Sequence, residues 1–211
     1  MEEQQAKDRL LQALLPDVAF DGWSLTALRS GARSLGMSEP EARAVFSGNA
    51  ARMVDWFAHW ADRRMLVELP SHIKEGMRTQ ARIKAAVMAR LEVLESHREA
   101  ERRALAVLAL PPNGLLALKI LYRTVDSIWY AVGDTATDFN FYSKRALLAA
   151  VYAATVLYWL DDTSPGHADT AAFLERRLAD VMAIPQTKSR LREFADRLPN
   201  PIRAFQALQR R

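Results

Sequence analysis

Apolar residues recur along this chain at intervals of three and four, the spacing that gathers them on one face of a helix, and no segment alternates like a strand or hairpin. Leu11, Leu14 and Val18 stripe a first helix, which the turn at Asp21 and Gly22 ends. Ser24 is placed to cap a second helix carrying Leu25, Leu28, Ala32 and Leu35 on one face, with a stop at Gly36. Ser38 and Glu41 have the spacing of a capping box, with Pro40 tolerated in the first turn, and predict a short third helix closed by Ser47, Gly48 and Asn49. Asn49 then caps a fourth helix over 49–64, lined by Met53, Trp56, Phe57 and Trp60.

The rest of the chain is more apolar. Pro70 and Ser71 predict the opening of a long amphipathic helix through Met77, Ile83, Val87, Met88, Leu91 and Leu94. Beyond the break at 111–114, Leu118, Leu121, Tyr122, Val125, Trp129 and Val132 continue the helical spacing, and 134–140 is a polar connector. The helix over 142–160 carries no charge from Ala146 onward, which predicts burial on most sides. Ser164 and Pro165 read as a cap with proline in the first turn, starting a helix striped by Ala171, Leu174, Leu178 and Val181. Asn200 and Pro201 restart a short helix. The expectation is an all-α chain of about nine or ten helices.

Two short helices joined through Gly36 and Met37, the second ending in Val45 and Phe46, resemble a helix-turn-helix. With the linking helix and the larger remainder, the chain is similar to a TetR-type regulator, a DNA-reading head on a ligand-binding body. The predicted division is a three-helix head over 1–47, a helical body for ligand binding and dimerisation over 48–198, and a terminal amphipathic helix over 199–211. The head is poorly suited to reading DNA. A recognition helix needs cationic or amide side chains at its leading turn, and Ser38–Phe46 offers Glu39 and Glu41 against a single Arg43. The expectation is a degenerate scaffold that binds no nucleic acid.

Charge sharpens that expectation. The 211 residues carry 29 Lys and Arg against 25 Asp and Glu, a net charge of +4. Residues 186–211 alone hold seven cations (Lys188, Arg190, Arg192, Arg197, Arg203, Arg210 and Arg211) against Glu193 and Asp196. The basicity therefore belongs to the tail, and the remainder is close to neutral.

Chemistry is conspicuous by what is missing. With no cysteine there is no thiolate nucleophile, disulfide or Cys-ligated metal. Phosphate-cradling glycine loops, nucleophile elbows and HExxH are absent from the sequence. His59, His72, His97 and His167 have no Glu three positions before them, so no Glu-x-x-His iron motif exists, and each reads as a surface or cap residue. The pairs Asp161/Asp162 and Asp134/Asp138 border helix ends, where Asp caps. No catalytic residue, metal or cofactor is expected, and the chain reads as a non-enzyme.

One block is specific. Asp126, Ile128, Trp129, Tyr130, Gly133, Asp134, Thr137, Asp138, Asn140, Phe141, Tyr142, Lys144 and Arg145 stand in fixed spacing, followed by Val151, Tyr152 and the run 158–164. Together with 20–24 and 173–178, this block resembles the lipid-binding accessory protein of ubiquinone biosynthesis, the partner of the demethoxyubiquinone hydroxylase. The resemblance implies a TetR-like fold without DNA binding, a homodimer, and a pocket for an isoprenoid quinone or phospholipid. It further implies a docking patch for the hydroxylase at Asp126, Ile128, Asp138, Asn140, Phe141 and Tyr142. Many relatives have Trp in place of Phe141 and Met in place of Ile128, substitutions that keep an apolar contact. On the residues alone, Phe141 and Tyr142 fit either interface anchors or a cover over the end of their own core.

Given that resemblance, a mostly apolar cavity is expected to be lined by Met88, Leu91, Leu118, Leu121, Tyr122, Val125, Trp129, Val151, Thr155 and Tyr158. Ile202, Phe205 and Leu208 against Arg203, Arg210 and Arg211 form a short basic amphipathic helix suited to an anionic membrane surface. The acidic opening at Glu2 and Glu3 is unlike a signal or transit segment. The longest uncharged stretches, 104–118 and 146–160, have fifteen residues each, short of the roughly 20 a spanning helix needs. The expected location is the cytoplasm, peripheral on the inner face of a bacterial membrane, or the mitochondrial matrix side if a transit peptide has been removed.

Overall fold

The computed structural model describes residues 2–133 and 139–181, with the backbone alone for 139–143. Every regular element among the described residues is helical. α1 spans Glu2–Asp21, α2 Leu25–Ser34 and α3 Glu39–Phe46. α4 spans Ala50–His72, α5 Thr79–Leu94 and α6 Arg98–Leu108. α7 spans Gly114–Ala131, α8 Phe139–Asp161, and α9 covers 168–181.

The caps fall where the side chains predict them. Ser24 Oγ accepts from the Ala27 amide at 3.2 Å. At Ser38 the box is reciprocal: its amide donates to Glu41 Oε2 at 2.8 Å, and its hydroxyl accepts from the Glu41 amide at 3.5 Å. Asn49 Oδ1 takes the amides of Ala51 and Arg52 at 2.8 and 3.3 Å. Each bond satisfies an amide that a helix start would leave orphaned. α1 and α2 pack through Gly31, where an added Cβ would stand 2.8 Å from the Leu14 backbone nitrogen.

Two predicted boundaries are corrected. The fourth helix does not stop near 64, and Pro70 does not open the next one. It sits inside the last turn of α4, which runs to His72, and α5 begins only at Thr79, after the left-handed Gly76. A proline forfeits one backbone bond, and Leu69, buried beside it, holds that turn to the core. The long amphipathic helix is also divided, by a short 3-10 turn at Glu95–His97 between α5 and α6. The chain then turns by 97° at the corner preceding α7.

α8 departs from its expected burial on most sides. Leu148, Val151, Tyr152, Val156 and Trp159 are buried, while Leu157 is 60% exposed and Tyr158 39% exposed. The uncharged run thus contains one face packed on the body and another left apolar at the surface. No single helix among the described residues is long and apolar enough to cross a membrane.

The head and body share one apolar core, continuous from Leu10 to Leu178. Trp23, just before α2, donates its indole N–H to the Ala100 carbonyl of α6 at 3.0 Å and lays its ring 5.1 Å from Phe57 of α4. Asp8 of α1 accepts from the Trp56 indole at 2.9 Å and from Arg63 at 2.6 Å. α4 runs from the head into the body and packs against both α5 and α7.

Candidate functional site

The body holds a cavity of about 390 Å³ between α4, α5, α6, α7 and α8. Small side chains make room for it: Ala58 of α4, Ala104 of α6, Ala109 just past its end, Ala117 of α7 and Ala153 of α8 all line it. Phe57, Leu105, Ile120, Leu121 and Val156 complete an apolar wall, and four polar residues reach it: Arg90, Glu101, Thr124 and Tyr152.

Arg90 organises the polar side. Its Nε donates to Asp62 Oδ1 at 2.8 Å, its Nη1 donates to the Tyr152 hydroxyl, and its Nη2 reaches the Ala58 carbonyl at 3.5 Å. Thr124 donates to the same Asp62 oxygen at 2.9 Å, and Arg123 pairs with Asp55 at 2.6 Å and Asp62 at 3.4 Å. Burial disfavours the Arg90 charge, but the fields of Tyr152, Asp62 and Glu101 and the bond to Asp62 outweigh it, so the guanidinium stays protonated. Burial likewise raises the Tyr152 hydroxyl and the Glu101 carboxyl, the latter against the pull of Arg90.

Of the residues expected to line a pocket, only Leu121 does so. Leu91, Val125, Trp129, Val151 and Thr155 are buried in the surrounding core, and Met88 packs against it. Leu118 and Tyr122 face outward at 64% and 48% exposure, as does Tyr158. The apolar stripe marks where helices touch, whereas a cavity opens where small residues keep them from touching. Ala104 of α6, Ala109 just past its end, Ala117 of α7 and Ala153 of α8 are the signal that could have located it.

The docking patch is only partly described. Asp138 lies outside the described residues, and Asn140, Phe141 and Tyr142 fall in the first turn of α8, where the backbone alone is given. Asp126 is half-buried on α7 and accepts from Arg145 Nε at 2.7 Å. Ile128, two residues on, is fully enclosed, so it supports this surface from behind. Ile202, Arg203, Phe205, Leu208, Arg210 and Arg211 all lie outside the described residues.

Other sequence candidates resolve into structural roles. Asp162 Oδ1 accepts from the Ser164 amide at 2.7 Å, and Oδ2 from the Thr170 amide at 2.9 Å, so it ties down the start of α9. Burial opposes its charge, but the hydrogen bonds from Ser164 and Thr170 prevail and hold the carboxyl well below the usual carboxylate range. On the head, Glu39 holds both nearby cations, Arg29 at 2.8 Å and Arg43 at 2.7 Å.

Three N-terminal helices joined through one long helix to a cavity-bearing helical body give a TetR-like fold. The structural comparison agrees. A TetR transcriptional regulator from Nitrosomonas europaea superposes with a TM-score of 0.66 over 84% of this chain and 98% of its own, at 22% identity, a likeness of fold alone. In sequence, residues 115–185 match the COQ9 family. The human ubiquinone biosynthesis protein COQ9, mitochondrial, is 34% identical over 203 residues, covering 93% of this chain and 64% of the human one. The protein of the same name from Xenopus tropicalis is 35% identical over 86% of this chain and 59% of its own. A probable ubiquinone biosynthesis protein coq9 from Dictyostelium discoideum is 26% identical over 90% of this chain and 64% of its own. The chain is thus similar to the COQ9 proteins over most of its own length and spans just under two thirds of the length of the human one.

Proposed function

We propose that this protein acts in ubiquinone biosynthesis as a non-catalytic lipid carrier. It binds an isoprenoid or quinone intermediate at a membrane surface and presents it to the di-iron hydroxylase of the pathway, working as a homodimer. The cavity carries the reading. An apolar chamber of about 390 Å³ with a few polar groups on one side suits an amphipathic lipid. The kinship with COQ9 proteins supplies the pathway. A carrier also answers a physical need, since a prenyl tail drawn from a bilayer into water loses about 0.8 kcal/mol for each exposed CH₂.

The basic tail would hold the protein to an anionic leaflet. The patch at Asp126, Asp138, Asn140, Phe141 and Tyr142, backed by Ile128, would dock the hydroxylase. Mass spectrometry of lipids extracted from the purified protein tests the central claim. A co-purifying isoprenoid supports it, and protein that carries no lipid and takes none from prenyl-quinone vesicles overturns it. The rival reading, a ligand-responsive TetR-type regulator, has the fold in its favour. Against it stand Arg29 and Arg43, both paired with Glu39 on the surface that would meet phosphates. Duplex binding at low salt would restore that rival.

A further inference from the structure

Where the chain turns from α6 into α7, its apolar residues are on the outside. None of the residues 105–119 is buried, although 104–118 is one of the two longest uncharged stretches in the sequence. Leu115 is 85% exposed, and Leu110 and Leu118, on either side of it in the chain, are each more than half exposed. Pro111 and Pro112 at the tip of the corner are exposed too. Single leucines at a surface are ordinary, but a set gathered on one corner marks a contact surface.

Three features identify what covers it as lipid. The first is the order of side chains leading away from the tip. Lys119 is the first charge after Arg103 and is exposed, and Tyr122, half exposed, follows Leu118 by one turn on the same face of α7. Apolar tip, then lysine and tyrosine, is the sequence in which a segment entering a bilayer meets acyl chains and headgroups. The second is shape. The helices flanking the corner together have the length and composition of a membrane span, but they meet at 97°, so the corner can dip into one leaflet and not cross it. The third is the cavity, which opens here. Leu105, Leu108 and Ala109 before the tip and Ala117 and Leu121 after it all line the cavity, and none of the five is buried, whereas Phe57, Arg90 and Tyr152 close its inner end.

We infer that the α6–α7 corner inserts Leu110, Leu115 and Leu118 into the acyl layer of a membrane, shallowly and independently of the basic tail, and sets the mouth of the cavity against lipid. The membrane contact stands on this surface alone. Its use, letting a lipid pass between leaflet and cavity without crossing water, rests on the carrier reading above. Apolar insertion of this kind needs no anionic headgroup and survives salt, unlike attraction through the tail's cations.

The test therefore uses the full chain, neutral phosphatidylcholine vesicles and about 0.5 M salt, which screens the tail. Leu115→Glu combined with Leu118→Glu should weaken vesicle binding by at least about tenfold, since two leucines no longer enter lipid. Both positions are exposed, so the melting temperature should hold, and a Leu115→Ser, Leu118→Ser pair serves if the charged pair disturbs folding. The chain has no cysteine, so Leu115→Cys accepts a single nitrobenzoxadiazole label. That label should brighten on vesicles and be quenched by brominated lipids, and the same label at Arg33→Cys on the head should not. Unchanged vesicle affinity of the double variant, or a label at 115 that stays in water, overturns the insertion. A variant that alters the mass of the chain in sedimentation and keeps its vesicle affinity makes the corner a contact between copies, which also overturns it. If the corner inserts but the double variant takes up prenyl quinone as fast as the wild type, the insertion stands and the entry route falls. Lipid that co-purifies with a chain whose corner stays in water leaves the carrier reading intact and sinks only this one.

Discussion

Single residues carry fixed obligations here, and their removal has calculable direction. Gly31 is one. A methyl group there would meet the Leu14 main chain at under 3 Å, a contact no rotamer change relieves. Gly31→Ala gains about 1 kcal/mol of helix propensity, yet overpacking against backbone costs about 1–3 kcal/mol, so chemical denaturation should find the variant less stable. Asp162 is another. Its carboxylate holds two backbone amides and the Thr170 hydroxyl, and losing such a cap costs about 1–3 kcal/mol. Because its folded pKa lies below the unfolded value, its contribution is complete above about pH 4 and fades as pH falls through the folded value. The melting temperature of Asp162→Asn should therefore lag the wild type most at pH 7, and the gap should narrow on acidification toward pH 3. A gap that widened in acid would show that Asp162 does not act through its charge.

At the scale of elements, what could be read from the chain depended on whether the signal was local. Ser24, Ser38 with Glu41, and Asn49 announce helix starts because the cap is a bond between near neighbours, and all three form as expected. Pro70 misled because proline is an equally local signal whose sense depends on tertiary support. Buried Leu69 and the long α4 keep the helix going through it. The cavity was least legible, since it depends on which alanines of α6, α7 and α8 come to face each other, a property of packing and not of spacing. The basic segment 199–211 lies outside the described residues, and the membrane role proposed for it can be tested alone. Deleting 199–211 removes Arg203, Arg210 and Arg211 together with Ile202, Phe205 and Leu208. Each cation near an anionic surface contributes roughly 1 kcal/mol, so co-sedimentation with phosphatidylserine vesicles should drop by at least about tenfold while the helical circular dichroism is kept. Undiminished binding would place the membrane contact elsewhere.

Across the whole molecule, the question is what the three-helix head contributes. α4 answers it. Its Val54, Phe57 and Ala58 line the cavity, and the Phe57 ring packs against Trp23, which is bonded in turn to α6 through the Ala100 carbonyl. The head is thus the outer support of one cavity wall, and α4 and α6 are held at their separation by a residue that precedes α2. If so, head and body melt together. Thermal unfolding followed by tryptophan fluorescence and by circular dichroism should give one coincident transition, as expected for a single cooperative core. Trp23→Phe, which keeps most of the ring contact but removes the indole N–H bond to the Ala100 carbonyl, should lower stability by about 0.5–1.5 kcal/mol. It should also weaken the lipid binding proposed above, although Trp23 does not line the cavity. Two separated transitions in the wild type, or a Trp23→Phe variant with unaltered lipid affinity, would reduce the head to a relic. A single transition with impaired binding would make these three helices a working part of the cavity's support.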